Sequence, residues 1–289
     1  MPLPLANSVN PSFDAPGPLR LWNLASLDAP TVAVVWALAF AWAGGVKLPL
    51  WIVPLLALTV WAVYVADRLL DARRAWQAGS FARLRERHHF HWRHRRLLVP
   101  LAVAAACIAA CIVLRFMPVA ARERNSLLAA AAVAYFSGVH AGWRVPRLAI
   151  SKEFLVGMLF TAGCALPAIA RAASPGGVPW TLVGVAALYA ALAWLNCAAI
   201  EGWEGSEGRL CRVAPLAALL GIAALLAATL LAALHPRAAL LLVAAAASDL
   251  LLALLDRGRT RLTPLALRAA ADLVLLTPLL LVPWARLLP

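Results

Sequence analysis

The sequence predicts an all-α, polytopic membrane protein of about nine transmembrane helices, and three observations predict it. Of 289 residues, 64% are hydrophobic and 13% charged, and the mean hydropathy of +0.82 lies far outside the range of soluble globular domains. The apolar residues gather into stretches near the roughly 20 residues that cross a bilayer, and short polar connections leave no room for a separate soluble domain. Within the stretches Ala, Leu and Val run on without alternation, which selects helices over a barrel because backbone in lipid must bond within its own segment. A water-soluble enzyme is excluded.

Residues 1–20 read as a tail with no basic run before an apolar core, so no cleaved signal peptide is expected and the first span acts as its own insertion signal. That span covers 21–44, before Lys47. The second, 48–70, ends at Asp67 and Asp71, and 71–96 is a basic loop. A third, 97–116, closes on Arg115, and a fourth, 125–142, begins after Arg122, Glu123 and Arg124. The fifth, 153–172, runs from Glu153 to Arg171; the sixth, 179–200, follows the breaker run Pro175, Gly176, Gly177 and Pro179. The last three are 213–234, 238–256 and 264–286, bounded by Arg212, Pro236, Arg257 and Pro264. Residues 21–289 thus form a single helical membrane domain. Small-residue stretches at Ala104 to Ala106, Ala129 to Ala134 and Ala244 to Ala247 suit close helix packing in a membrane.

The formal net charge is +13, with a pI near 11.1. In a soluble chain that balance suggests nucleic acid; here no nucleic acid is implied, because basic residues collect in cytoplasmic loops. With nine spans, eighteen Lys and Arg fall on one side and seven on the other, leaving Arg268 inside a helix. The N-terminus and the 71–96 loop are therefore expected in the cytoplasm, the C-terminus outside, and the protein in the cell (inner) membrane. Asp67, Asp71, Glu86, Glu153, Glu201, Glu204, Glu207 and Asp256 fall on the same side as the basic loops. Carboxylates and dense positive charge on one face suit a magnesium-bridged polyanion such as a diphosphate; the competing reading is a charged surface that balances itself. Cys107, Cys111, Cys164, Cys197 and Cys211 read as small packing residues.

The strongest local signal is Tyr64-Val65-Ala66-Asp67-Arg68-Leu69-Leu70-Asp71. Asp67 and Asp71, four apart, share one helical face and can hold one hard cation. Magnesium keeps several waters and takes substrate phosphate oxygens as further ligands, so two carboxylates are a reasonable protein share, with Arg68, Arg73 and Arg74 placed to touch the phosphates. The plainer alternative is a cap or a salt bridge.

This motif, the stretch Ile150-Ser151-Lys152-Glu153-Phe154-Leu155-Val156-Gly157 and the stretch Asn196-Cys197-Ala198-Ala199-Ile200-Glu201-Gly202-Trp203-Glu204 together resemble the UbiA superfamily of intramembrane prenyltransferases. The resemblance implies nine helices around a central cavity, two aspartate-rich motifs, and Mg²⁺-dependent transfer of a prenyl group from its diphosphate to a lipophilic acceptor within the lipid bilayer. The family's NDxxDxxxD motif sets its last two aspartates on Asp67 and Asp71, with Val63 and Tyr64 where Asn and Asp are usual. The second stretch is similar to a DxxDxEGD form, keeping Glu201-Gly202 but with Asn196, Ala199 and Trp203 where aspartates belong. The resemblance implies metal binding by Asp67, Asp71, Glu201 and Glu204, and catalytic roles for Asp67, Asp71 and Lys152. It further implies diphosphate contacts from Arg68, Arg73, Arg74, Lys152 and Asn196. The altered second motif supports another reading, a non-catalytic protein that binds or moves a polyprenyl lipid. A secondary transporter would show repeated broken helices in both halves, and no such internal symmetry is visible.

Two further features carry expectations. The loop Arg85 to Arg96 holds four histidines, His88, His89, His91 and His94, interleaved with Phe90 and Trp92; contact with anionic headgroups and attraction of diphosphate fit it better than zinc or copper. Asp249, Arg268 and Asp272 lie inside apolar stretches, where charge is expensive. The expected arrangement is an Arg268 bridge between Asp249 and Asp272 that locks the last two helices together.

Overall fold

The computed structural model describes residues 17–140, 152–173, 177–204 and 212–283, and its regular elements are helices. Where one span was expected at 21–44, the chain forms α1 (Pro18–Leu24) and α2 (Asp28–Ala43), bent by 89°. The break has a local cause. Pro30 has no N–H to give to the preceding turn, Ser26 sits at φ 57°, and the Asn23 amide donates across the bend to Asp28 Oδ2 at 2.8 Å. Asp28 Oδ1 accepts the Ala29 backbone N–H at 2.9 Å.

After a turn come α3 (Ile52–Gln77), α4 (Glu86–Arg93) and α5 (Arg95–Phe116). The expected 71–96 loop is therefore mostly helical: α3 runs on to Gln77, and the histidine stretch is a short helix folded against α3, α5 and α1. Then follow α6 (Val119–His140), α7 (Lys152–Ala172), α8 (Trp180–Glu204), α9 (Val213–Leu231), α10 (Pro236–Gly258) and α11 (Pro264–Leu273). Seven helices are long and apolar enough to cross a membrane, or eight if the bent α1–α2 pair is one span. Helix α6, where the fourth span was expected, does not qualify among the described residues, because Arg122, Glu123, Arg124 and Asn125 occupy its first two turns and shorten the apolar run.

Helix α10 is the axis, packed on α9, α8, α2 and α11. Apolar burial between helices gains little when the alternative solvent is lipid, so packing and polar contacts must hold such a bundle. Both are visible. Trp36 of α2 stacks on Tyr189 of α8 with ring centroids 3.8 Å apart, with Phe40 edge-on to Tyr189, a geometry worth about 0.5–1.5 kcal/mol per pair. Helices α7 and α8 approach so closely at Gly157 that a Cβ there would lie 2.7 Å from the Trp194 backbone nitrogen.

The last span departs most from expectation. After Leu273 the chain tightens into a 3₁₀ helix, Val274–Leu281, containing Pro278. A 3₁₀ helix bonds each carbonyl to the N–H three residues on, so Pro278 leaves the Leu275 carbonyl without a donor, and in lipid such orphans need other partners. Ser248 of α10 donates to the Val274 carbonyl at 2.6 Å and Trp36 of α2 to the Leu275 carbonyl at 2.8 Å. Thr277 returns a bond to the Ala244 carbonyl at 2.7 Å, so three helices converge on one proline.

Candidate functional site at the charged end of the bundle

The ends of α3, α8 and α10 and the starts of α5, α7, α9 and α11 carry most of the charge. Helix α3 places Asp67, Arg68 and Asp71 on its last turns. Arg68 is 3% exposed, and its guanidinium lies over the Tyr64 ring at 5.3 Å. Asp67 and Asp71 are half-buried, and Asp71 Oδ2 lies 3.8 Å from His88 Nε2 of α4. Arg73 is exposed and Arg74 half-buried on the continuation of the helix.

Helix α8 brings its own candidates to the same end. Asn196 is buried, with no partner for Oδ1. Glu201, mostly exposed, reaches Arg85 ahead of α4 at 4.0 Å. Glu204 ends α8, and its side chain lies outside the described residues, as do Ile150, Ser151, Glu207 and Cys211. Lys152 opens α7 and, with Glu153, lies within electrostatic reach of Cys197, next to Asn196. The α3 acids and Glu201 therefore share one end of the bundle, connected through α4: His88 stands against Asp71 and Arg85 against Glu201. Among the described residues no three His, Cys, Asp or Glu side chains converge as metal ligands.

Helix α4 is no freely solvated loop. Its Glu86 pairs with Arg20 of α1, and His88 and His91 are buried. His91 Nδ1 lies 2.8 Å from the Arg87 carbonyl, which only accepts, so Nδ1 carries the proton. Nε2 is then left to accept from the Ser26 hydroxyl at 3.4 Å. Burial, with the Arg68 guanidinium and His88 beside the ring, pushes the His91 pKa down to about 3, so the imidazole is neutral.

Beneath α4 lies a charge cluster that the sequence only partly announces. Arg268 and Asp272, one turn apart on α11, share the electrostatic surroundings of Asp28 on α2 and Arg68 on α3, and Asp272 lies within hydrogen-bonding reach of Asp28. Two carboxyl groups face two guanidiniums. Arg268 and Asp272 are electrostatic neighbours on one helix, and Asp249 stands apart from both. Asp249, 2% exposed on α10, faces Gly221 of α9, whose added Cβ would lie 3.4 Å from the Asp249 Cβ, and no charged side chain among the described residues perturbs it. The third partner in the cluster is Asp28. Ser26, Asp28 and Pro30 within one apolar run are helix-start residues and mark the break, but not the partners that Asp28 meets.

A second polar junction lies at the far corner of the same end. Asp256 of α10 accepts from Trp203 of α8 at 2.8 Å and from the Ala214 backbone N–H of α9 at 3.0 Å, and it pairs with Arg259. Asp256 thus ties α8, α9 and α10 together, with Trp203 as the α8 donor. Cys164 is buried, Cys107 and Cys111 are exposed on α5, and all are free thiols, as is Cys197. No family model, curated protein or solved structure matches this chain.

Proposed function

We propose that the chain is a UbiA-like prenyltransferase of the cell (inner) membrane, with the N-terminus and the α3–α5 connection cytoplasmic and nine passes completed by α6. It would transfer a prenyl group from a prenyl diphosphate to a lipophilic acceptor. The observation that carries this reading is the end of α3, where two half-buried carboxylates flank a buried arginine and are linked to Glu201 through His88 and Arg85, with Lys152 beside Cys197 on the helix of Glu201.

The donor chemistry fits magnesium on Asp67 and Asp71: two hard oxygen donors one helical turn apart, with phosphate oxygens and water left to complete the shell. Glu201 and Glu204 of the second resembling stretch would complete the metal's protein ligands. Magnesium bound there would offset the charge of the departing diphosphate. Arg68, Arg73, Arg74 and Lys152 supply fixed positive charge toward the same oxygens, and Asn196 offers its amide. In the transfer, the C–O bond to diphosphate breaks, a bond to an electron-rich carbon or hydroxyl of the acceptor forms, and the acceptor gives up its proton. Apolar helix walls exclude the water that would otherwise compete.

A second reading, a non-catalytic polyprenyl-lipid binder, is favoured by one specific feature: Asp71 and Glu201 already face His88 and Arg85. The deciding measurement is diphosphate release from labelled prenyl diphosphates by the purified protein in membranes, with and without Mg²⁺. Mg²⁺-dependent release that Asp71→Asn abolishes and Asn196→Asp preserves supports transfer. Binding without release selects the lipid-binding reading.

A further inference from the structure

The corner where α3, α4 and α5 meet carries arginines that no carboxylate offsets. Only two acids lie between residues 71 and 96, and both are engaged: Glu86 with Arg20 and Asp71 with His88. Arg73, Arg93, Arg95 and Arg96 are exposed and form no ion pair among the described residues. Under them lies an aromatic floor. Trp76 stacks on Trp92 at 6.1 Å and meets Phe81 edge-on at 5.4 Å, Phe81 packs against His89, and the Arg95 guanidinium lies 4.7 Å over Trp92. Arg73 is one turn before Trp76 on α3, and Arg95 opens α5. The stack thus gathers the arginines of three helices at one place.

Its depth is set by length. Helix α3 has 26 residues, about 39 Å at 1.5 Å per residue, against a hydrocarbon core of about 30 Å. Its last turns, with Arg73 and the 60% exposed Trp76, reach the headgroup layer, as does the start of α5. We infer that this corner is a docking site for the headgroup of an anionic phospholipid from the surrounding leaflet. The phosphate sits among planar guanidiniums that bind it through paired N–H donors, and the tryptophans fix its level at the interface. Arg73 is shared with the proposed diphosphate site, whereas Arg93, Arg95 and Arg96 lie outside it.

The test is native mass spectrometry of the full chain, released from nanodiscs containing equal phosphatidylglycerol and phosphatidylcholine. Phosphatidylglycerol should be retained preferentially. R93Q/R96Q should weaken that retention by roughly twenty-five-fold, at about fivefold per arginine near a charged surface. R257Q/R261Q removes the same charge elsewhere at this end of the bundle and should leave retention unchanged. Trp76→Ala, which alters no charge, should lower retention a few-fold and guards against a charge variant that misfolds. Equal retention of the two lipids, an equal loss in both arginine doubles, or full retention in both R93Q/R96Q and Trp76→Ala would overturn the inference.

Discussion

Two buried aspartates in the same bundle live in opposite surroundings. Asp272 sits where α2, α3 and α11 meet, beside Asp28 and facing Arg68 and Arg268. Asp249 sits in the α9–α10 seam opposite Gly221, with no charged neighbour among the described residues. The first place is a junction of helices distant in sequence; the second is the contact of two consecutive helices. The difference teaches that this fold concentrates charge where the connection is long-range. Sequential neighbours such as α9 and α10 are already held together by a short turn and small residues. Bringing α2 and α3 to α11 needs a directional contact that few other registers can satisfy.

The largest expected effect breaks the first region. Arg268→Leu leaves Asp28 and Asp272 facing Arg68 alone, and losing one partner of a buried charge network costs about 3–5 kcal/mol. Arg259→Leu removes a partly exposed guanidinium from Asp256, which keeps Trp203 and the Ala214 N–H, and should cost at most about 1 kcal/mol. Thermal unfolding of the two variants in detergent makes the comparison, and equal midpoints would remove Arg268 from the network.

What could be read from the chain divides along the same line. The helical membrane class and most spans followed from apolar run length, which is a local property. The Arg268–Asp272 pair followed from its i, i+4 spacing on one helix. Asp28 and the true place of Asp249 were not legible, because both depend on which helices touch, and single-sequence periodicity carries no such information. The break before Asp28 was readable from Pro30, and the 3₁₀ end of the last span from Pro278. Both prolines lie inside apolar runs whose continuity outweighed them. The histidine helix misled for a related reason: its composition suits the membrane surface, but His88 and His91 are buried, with partners on α3 and in the α1–α2 turn, the nearest 17 residues away in sequence.

A smaller effect is expected at the junction of α10 with the last span. Ser248→Ala removes the side-chain donor to the buried Val274 carbonyl. Losing a buried hydrogen bond of this kind costs about 0.5–1.5 kcal/mol. Thr277 loses a partner as well, so Ser248→Ala combined with Thr277→Val should cost less than the sum of the single changes; a double-mutant cycle by thermal unfolding checks this, and strict additivity would mean the two hydroxyls act separately.

Next in size is a pH effect at the first region's rim. The His91 pKa falls from 6.5 to about 3 on folding, through burial, Arg68 and His88, opposed by Asp28. The unfolded chain therefore binds a proton that the folded one does not, so the contribution of His91 is fully present above pH 6.5 and is lost as pH falls from there toward 3. The slope is about 1.4 kcal/mol per pH unit once the unfolded ring is charged. Melting followed at pH 7.5, 6.0 and 5.0 should show this loss in the parent protein, and His91→Asn should flatten it. An unchanged pH slope in the variant would place the sensitivity elsewhere, His88 being the nearest alternative.

The smallest effect belongs to the second region, and its smallness is what makes it informative. Asp249→Asn keeps the shape of the side chain against Gly221 and breaks no charge pair, because none is present. The amide can still donate to a carbonyl of its own helix, Ala246 O of α10 lying in the same seam, 3.5 Å from the position of a Gly221 Cβ. A change within about 1 kcal/mol is expected, in either direction. Asp272→Asn, the same chemical edit in the first region, alters the carboxyl group set among Asp28, Arg68 and Arg268 and should cost several times as much. Measured side by side in one detergent, the pair of variants isolates the surroundings from the substitution. If Asp249→Asn proves as damaging as Asp272→Asn, a cation must reach the α9–α10 seam and the contrast between the two regions fails.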